Sequence, residues 1–152
     1  MTNTLKLLIV YYSQTGNTEK MARAIEEGAK SVVGIDVEMK YFVRPEELAE
    51  ADAIILGMPT YYHDISMDMK KLLEGVSKEE MNLKGKVGAA FGSYGWSGEA
   101  PIMLLEIMKN QFQMDAVEPA LRIKYNPDKK GLEECNKLGK TVAERILKTS
   151  LT

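Results

Sequence analysis

The chain has 152 residues, 45% of them hydrophobic and 28% charged, with a net charge of −2, the make-up of one globular domain able to bury a core. The near-neutral charge, with no cluster of Lys or Arg, excludes a nucleic-acid footprint. A lone cysteine, Cys135, excludes an internal disulfide and any multi-cysteine metal or iron–sulfur centre.

The N-terminus has no basic start followed by a long apolar run, so no signal peptide is expected. The longest apolar stretches are about six residues, against the roughly 20 that span a bilayer. A cytoplasmic protein that avoids the membrane is the expectation.

Leu7 to Tyr12 is a short apolar run that reads as a buried strand. Residues 17–33 take helical spacing, with Met21, Ile25, Ala29 and Val32 on one face. Ile35 to Phe42 alternates apolar and polar residues, as a half-exposed strand does. Glu46, Glu47, Glu50 and Asp52 read as a solvated helix face. Ala53 to Gly57 is a second continuous apolar strand, stopped by Met58-Pro59-Thr60.

Met69, Leu72, Leu73 and Val76 stripe a short helix, and Val87 to Phe91 is a third buried strand. Pro101 suits a first helical turn, with Ile102, Leu105, Met108 and Phe112 as the apolar stripe. Ala120 to Tyr125 is a more polar last strand preceded by Pro119, which suits a sheet edge. Leu132, Cys135, Leu138, Val142 and Ile146 stripe the closing helix. Strand and helix thus alternate five times, which predicts an α/β, doubly wound, five-stranded parallel sheet with helices on both faces.

In such sheets ligands bind beyond the carboxyl ends of the strands, so residues 13–18, 58–64 and 92–99 are the loops to inspect. Ser13, Gln14, Thr15, Gly16, Asn17 and Thr18 place three hydroxyls and a glycine at a helix start, a ready anion site. No Lys or Arg lies in this loop, and the lysine-bearing triphosphate loop is absent, so a terminal monophosphate fits best. Ser93, Tyr94, Gly95, Trp96, Ser97 and Gly98 follow the third strand, and a tryptophan face there suits stacking on a flat ring system. Pro59, Thr60, Tyr61, Tyr62 and His63 add two more aromatics after the second strand. Together the loops describe a ligand with a phosphate tail, a polar middle and a flat aromatic head.

Over almost its whole length the chain resembles the flavodoxin family. Ser13 through Thr18 is similar to that family's phosphate loop, and Phe91 through Trp96 to the third loop of short flavodoxins. Phe91 through Glu99 and Gly57 through Thr60 also resemble the flavodoxin domain of flavodiiron (A-type) proteins. The resemblance implies strand order 2-1-3-4-5 and non-covalent FMN. It also implies phosphate on residues 13–18, Trp96 over one isoalloxazine face and residues 59–63 on the other. No long insertion interrupts the last strand, as in the short-chain group.

Simple flavodoxins often carry a glycine in the second loop, where a peptide flips toward the reduced flavin. Here Tyr61, Tyr62 and His63 stand nearest, and positive φ is uncommon for them, which argues against the flip. One histidine cannot furnish the His- and carboxylate-rich diiron site of flavodiiron proteins, so no metal is expected. His63 reads as an exposed loop residue, and Cys135 and the ten methionines as core. Asp64, Asp68 and Glu99 near the loops are expected to disfavour a negatively charged reduced flavin.

No nucleophile or general-base set is legible, so no catalytic residue is assigned. The expected function is electron transfer between transiently bound redox partner proteins, as a monomer or weak homo-oligomer. The alternative is an FMN-dependent NAD(P)H or quinone oxidoreductase.

Overall fold

The computed structural model describes residues 4–12, 16–41, 43–60, 66–95 and 97–150. The three continuous apolar runs form the middle of a parallel sheet: β1 (Leu5–Tyr11), β3 (Ala53–Gly57) and β4 (Val87–Tyr94). β2 (Ile35–Lys40), whose residues alternate, is an outer strand paired in parallel with β1. Two short pieces complete the other side, β5 (Asp115–Ala116) and β6 (Leu121–Lys124), both parallel to β4. The order is β2-β1-β3-β4-β5, which is the 2-1-3-4-5 order expected, with β6 also on β4.

The helices are α1 (Asn17–Lys30), α2 (Pro45–Glu50), α3 (Met67–Lys78), α4 (Glu99–Glu106) and α5 (Lys129–Ser150). A π-type turn, Ile107–Gln111, prolongs α4. Strand side chains alternate between faces, and the core divides accordingly. Leu7, Ile9 and Tyr11 pack with Met21, Ile25, Val142 and Ile146 of α1 and α5. Leu8, Val10 and Tyr12 pack on the opposite face with Leu48, Leu72, Val76 and Leu104 of α2, α3 and α4. Each fully buried Leu or Ile contributes about 1.5–3 kcal/mol of transfer free energy. Cys135 is wholly buried in the α1/α5 layer, as its stripe position implied.

Several features differ from the sequence reading, among them the end of β2, at Lys40 rather than 42. α1 stops at Lys30 rather than 33, because the Ser31 and Val32 N–H groups bond back three residues, to Gly28 and Ala29. Val32 still packs against the core, which is why the apolar spacing ran on. β4 continues past Phe91 to Tyr94, because Phe91–Tyr94 pair with Leu121–Lys124 of β6. The last strand is split: β5 faces Val87 and Gly88, four residues intervene, and β6 resumes the ladder. Ile102 is exposed, and the buried face of α4 runs through Ala100, Pro101, Leu104 and Leu105.

Of the acidic stretch, Glu46 and Glu50 are exposed on α2, as expected. Asp52 lies beyond that helix, and its carboxylate accepts the Lys6 N–H at 2.8 Å.

Candidate functional site

Parallel pairing brings the carboxyl ends of β1 and β3 level, with Tyr11 opposite Gly57, and sets Gly57 opposite Phe91, from which β4 runs three residues further to Tyr94. Ten of the expected site residues are described: Gly16, Asn17, Thr18, Pro59, Thr60, Ser93, Tyr94, Gly95, Ser97 and Gly98. Ser13, Gln14, Thr15, Tyr61, Tyr62, His63 and Trp96 lie outside the described residues, and so do the second-loop peptide and Asp64.

Gly16 is the N-cap of α1, with φ 89°, a left-handed conformation that a side chain would strain. Its carbonyl accepts the Lys20 N–H at 3.0 Å, and it has no side chain to cap the helix. The first N–H groups of any α-helix have no acceptor within it, and the dipole makes that end positive. Asn17 and Thr18 supply this first turn. Thr18 is wholly buried, and its hydroxyl lies 2.9 Å from the Ser93 hydroxyl.

Ser93, near the end of β4, therefore bonds to two neighbouring segments at once. Its carbonyl accepts the Thr60 N–H at 3.3 Å, extending the β3–β4 ladder past the end of β3. The Thr60 hydroxyl accepts the Ala100 N–H at 3.2 Å. α4 begins at Gly98, which has no side chain, so a residue of the preceding crossover caps it instead. The backbones meet closely at Gly92, where a Cβ would lie 2.0 Å from the Met58 carbonyl oxygen and 2.8 Å from Pro101 Cγ.

Ser93 and Tyr94 are thus strand residues, not loop residues as the sequence suggested. The Tyr94 carbonyl accepts the Tyr125 N–H at 2.7 Å, and Tyr125 holds a left-handed backbone with φ 61°. Pro59 and Ser97 are half-buried, Gly98 is buried and Gly95 is exposed.

Beside the first loop stands a group that sequence reasoning missed. Tyr11 and Tyr12 both meet Tyr41 edge to face, with ring centroids 5.3 and 5.8 Å apart. Burial, then the nearby Asp68 carboxylate, pushes the Tyr12 phenol up to about 12. The Tyr11 hydroxyl donates to Glu19 Oε1 at 2.9 Å, and its pKa is raised by burial first and then by this bond. Arg23 reaches the same carboxylate oxygen at 3.5 Å. The available signal was a glutamate three residues past a helix-starting glycine, the position from which carboxylates cap helices.

Among the described residues no group of three His, Cys, Asp or Glu could hold a metal ion. Among them also, no helix is long and apolar enough to cross a membrane.

Sheet order, switch point and a neutral, hydroxyl-bearing helix start define a doubly wound protein built for a phosphate-bearing ligand. The chain belongs to the flavodoxin family, whose sequence pattern matches residues 9–139. It is 42% identical over 109 residues to a flavodoxin of Clostridium saccharobutylicum, covering 70% of this chain and 67% of that one. It is 37% identical over 148 residues to the type A flavoprotein fprA of Rhodobacter capsulatus. That match covers 92% of this chain but only 33% of the relative, so the chain spans a third of that protein's length. A solved flavodoxin from the domain Archaea superposes with TM-score 0.83 at 43% identity, covering 93% of this chain and 99% of that one.

Flavodoxins bind FMN and carry electrons in company with redox partner proteins. The residues present fit that cofactor. The sequence of residues 13–18 contains no Lys or Arg and leads into the positive end of a helix. Gly16 takes the left-handed turn into that helix, and the start of α1, the end of β4 and the segment after β3 are hydrogen-bonded to one another through Thr18, Ser93 and Thr60.

Proposed function

We propose that this chain is a single FMN-binding domain that holds one FMN without a covalent bond and passes electrons between redox partner proteins. The observation that carries the reading is the joining of the first turn of α1, the end of β4 and the segment after β3 at the carboxyl end of the sheet, Thr18 to Ser93 and Ser93 to Thr60, beside a helix start with no side-chain cap.

FMN supplies the redox chemistry, taking up and giving back electrons. The chain's own residues bind and orient it. Ser13, Gln14, Thr15, Gly16, Asn17 and Thr18 hold the phosphate, with the α1 dipole favouring the anion. Trp96 would stack on one face of the flat ring, with Pro59 to His63 toward the other. Ser93, Tyr94, Gly95, Ser97 and Gly98 shape the wall between. The Thr18–Ser93 bond fixes the phosphate loop against the wall. The Thr60–Ala100 bond fixes the second loop against α4. The partners engage transiently, the protein is a monomer or weak homo-oligomer, and it works in the cytoplasm.

The test is a stopped-flow comparison of the FMN-loaded protein with NADH, NADPH and a quinone against a separate flavoprotein reductase. Reduction only through the reductase supports the carrier. Rapid direct turnover with a nicotinamide or quinone contradicts it and supports an oxidoreductase.

A further inference from the structure

Two helices of this chain carry a glutamate three residues after the N-cap: α1 has Gly16 and Glu19, and α2 has Arg44 and Glu47. From this position a carboxylate turns back to the N-cap N–H and closes a capping box. In α2 it does so, and the Arg44 N–H donates to Glu47 Oε2 at 2.7 Å. In α1 the same residue type at the same position is drawn elsewhere. Glu19 Oε1 receives the Tyr11 hydroxyl at 2.9 Å and Arg23 Nη2 at 3.5 Å.

The two tethers are unequal. Arg23 and Glu19 are well exposed, with side chains 64% and 41% accessible, so their ion pair is screened by water and salt. Tyr11 is the last residue of β1, buried, with its ring held edge-on against Tyr41. Sheet and core therefore set where its hydroxyl stands. Glu19 sits on the very turn whose N–H groups the proposed phosphate requires. A carboxylate released there would take up helix-start donors and repel a second anion.

We propose that Tyr11 is a positioning residue for the ligand phosphate: its hydroxyl holds Glu19 away from the start of α1, and Glu19 is a built-in competitor once that bond is lost. The inference rests on the phosphate reading of residues 13–18. It makes the discrimination between FMN and its dephosphorylated form depend on a residue of the sheet.

FMN and riboflavin are titrated into the flavin-free forms of the wild type, Tyr11→Phe, Glu19→Gln and the double variant. Tyr11→Phe should weaken FMN about tenfold or more, the effect of losing a hydrogen bond to a charged group, and change riboflavin less than about twofold. Glu19→Gln in the Tyr11→Phe background should return FMN affinity to the wild-type value. Equal loss for both flavins, or a double variant as weak as Tyr11→Phe, overturns the proposal. So does a loss of apoprotein fold in Tyr11→Phe that Glu19→Gln does not reverse. A wild type that binds FMN no tighter than riboflavin defeats the phosphate reading and this inference with it. A wild type that prefers FMN, with that preference intact in Tyr11→Phe, defeats this inference alone.

Discussion

Thr18 and Ser93, 75 positions apart, share a buried hydrogen bond of 2.9 Å that ties the first turn of α1 to the end of β4. Removing one hydroxyl strands the other away from water, which costs about 1–3 kcal/mol. Thr18→Val and Ser93→Ala should each lower the stability of the flavin-free protein by about that amount. The double variant should lose less than the sum, because the pair shares one interaction. Denaturant melts of the four proteins measure the coupling, and strict additivity would show the bond to be energetically idle.

At Gly92, within β4, the backbone passes close to the segment after β3, with a Cβ placed 2.0 Å from the Met58 carbonyl oxygen. Backbone cannot yield as a flexible side chain does, so Gly92→Ala forces the two segments apart. The expected loss is about 1–3 kcal/mol of stability, with weakened FMN binding and an unchanged far-UV spectrum. Gly95→Ala is the control, since its Cβ would meet only the Tyr125 ring at 3.6 Å. Its apoprotein melt should match that of the wild type.

Burial pushes the Cys135 thiol from 9.0 up to about 12, with a smaller push from Glu134. Below pH 9.0 the thiol is protonated in both the folded and unfolded chains, and stability is unaffected by it. Between pH 9.0 and about 12 the unfolded chain releases the proton while the fold retains it, so stability falls as pH rises. Tyr12 acts with the same sign, from 10.0 toward about 12. Denaturant midpoints should therefore decline above pH 9, and Cys135→Ala should flatten the first part of that decline. At neutral pH the native thiol should resist alkylation and react only on unfolding.

Trp96 is the sole tryptophan. If it stacks on the flavin, FMN should strongly quench the protein's intrinsic fluorescence. Trp96→Ala should weaken FMN binding at least several-fold without shifting the apoprotein melt. A destabilised apoprotein with near-normal FMN affinity would show instead that Trp96 is a core anchor.

The central strands were legible because a strand buried on both faces has to be apolar throughout, as Ala53–Gly57 is. The edges were not. β5 is two residues long, Asp115 and Ala116, too short to show a period, and its place depends on pairing with Val87 and Gly88. Of the stripe read on α4, Leu105 and Met108 are buried and Phe112 packs against the core, but Ile102 fitted the same spacing and is exposed, the first turn burying Ala100 and Pro101 instead.

At the site, the positions of Gly16 and Asn17 followed from local chemistry, since a glycine and small polar residues between strand and helix mark a helix start. The roles of Thr18 and Thr60 did not. Their hydroxyl partners, Ser93 and the Ala100 N–H, are 75 and 40 residues away and are set by sheet register alone. Tyr11 likewise read as one more strand residue, because nothing local to it announces Glu19.

The ligand decides whether this protein is an FMN-binding electron carrier. The most direct measurement is identification and titration of the flavin: extraction from the purified protein, then return of FMN, FAD and riboflavin to the apoprotein. The expected result is a yellow protein that releases FMN on denaturation and rebinds one FMN per chain, more tightly than riboflavin. Extraction of FAD, or an apoprotein that takes up no FMN at micromolar concentration, would contradict it.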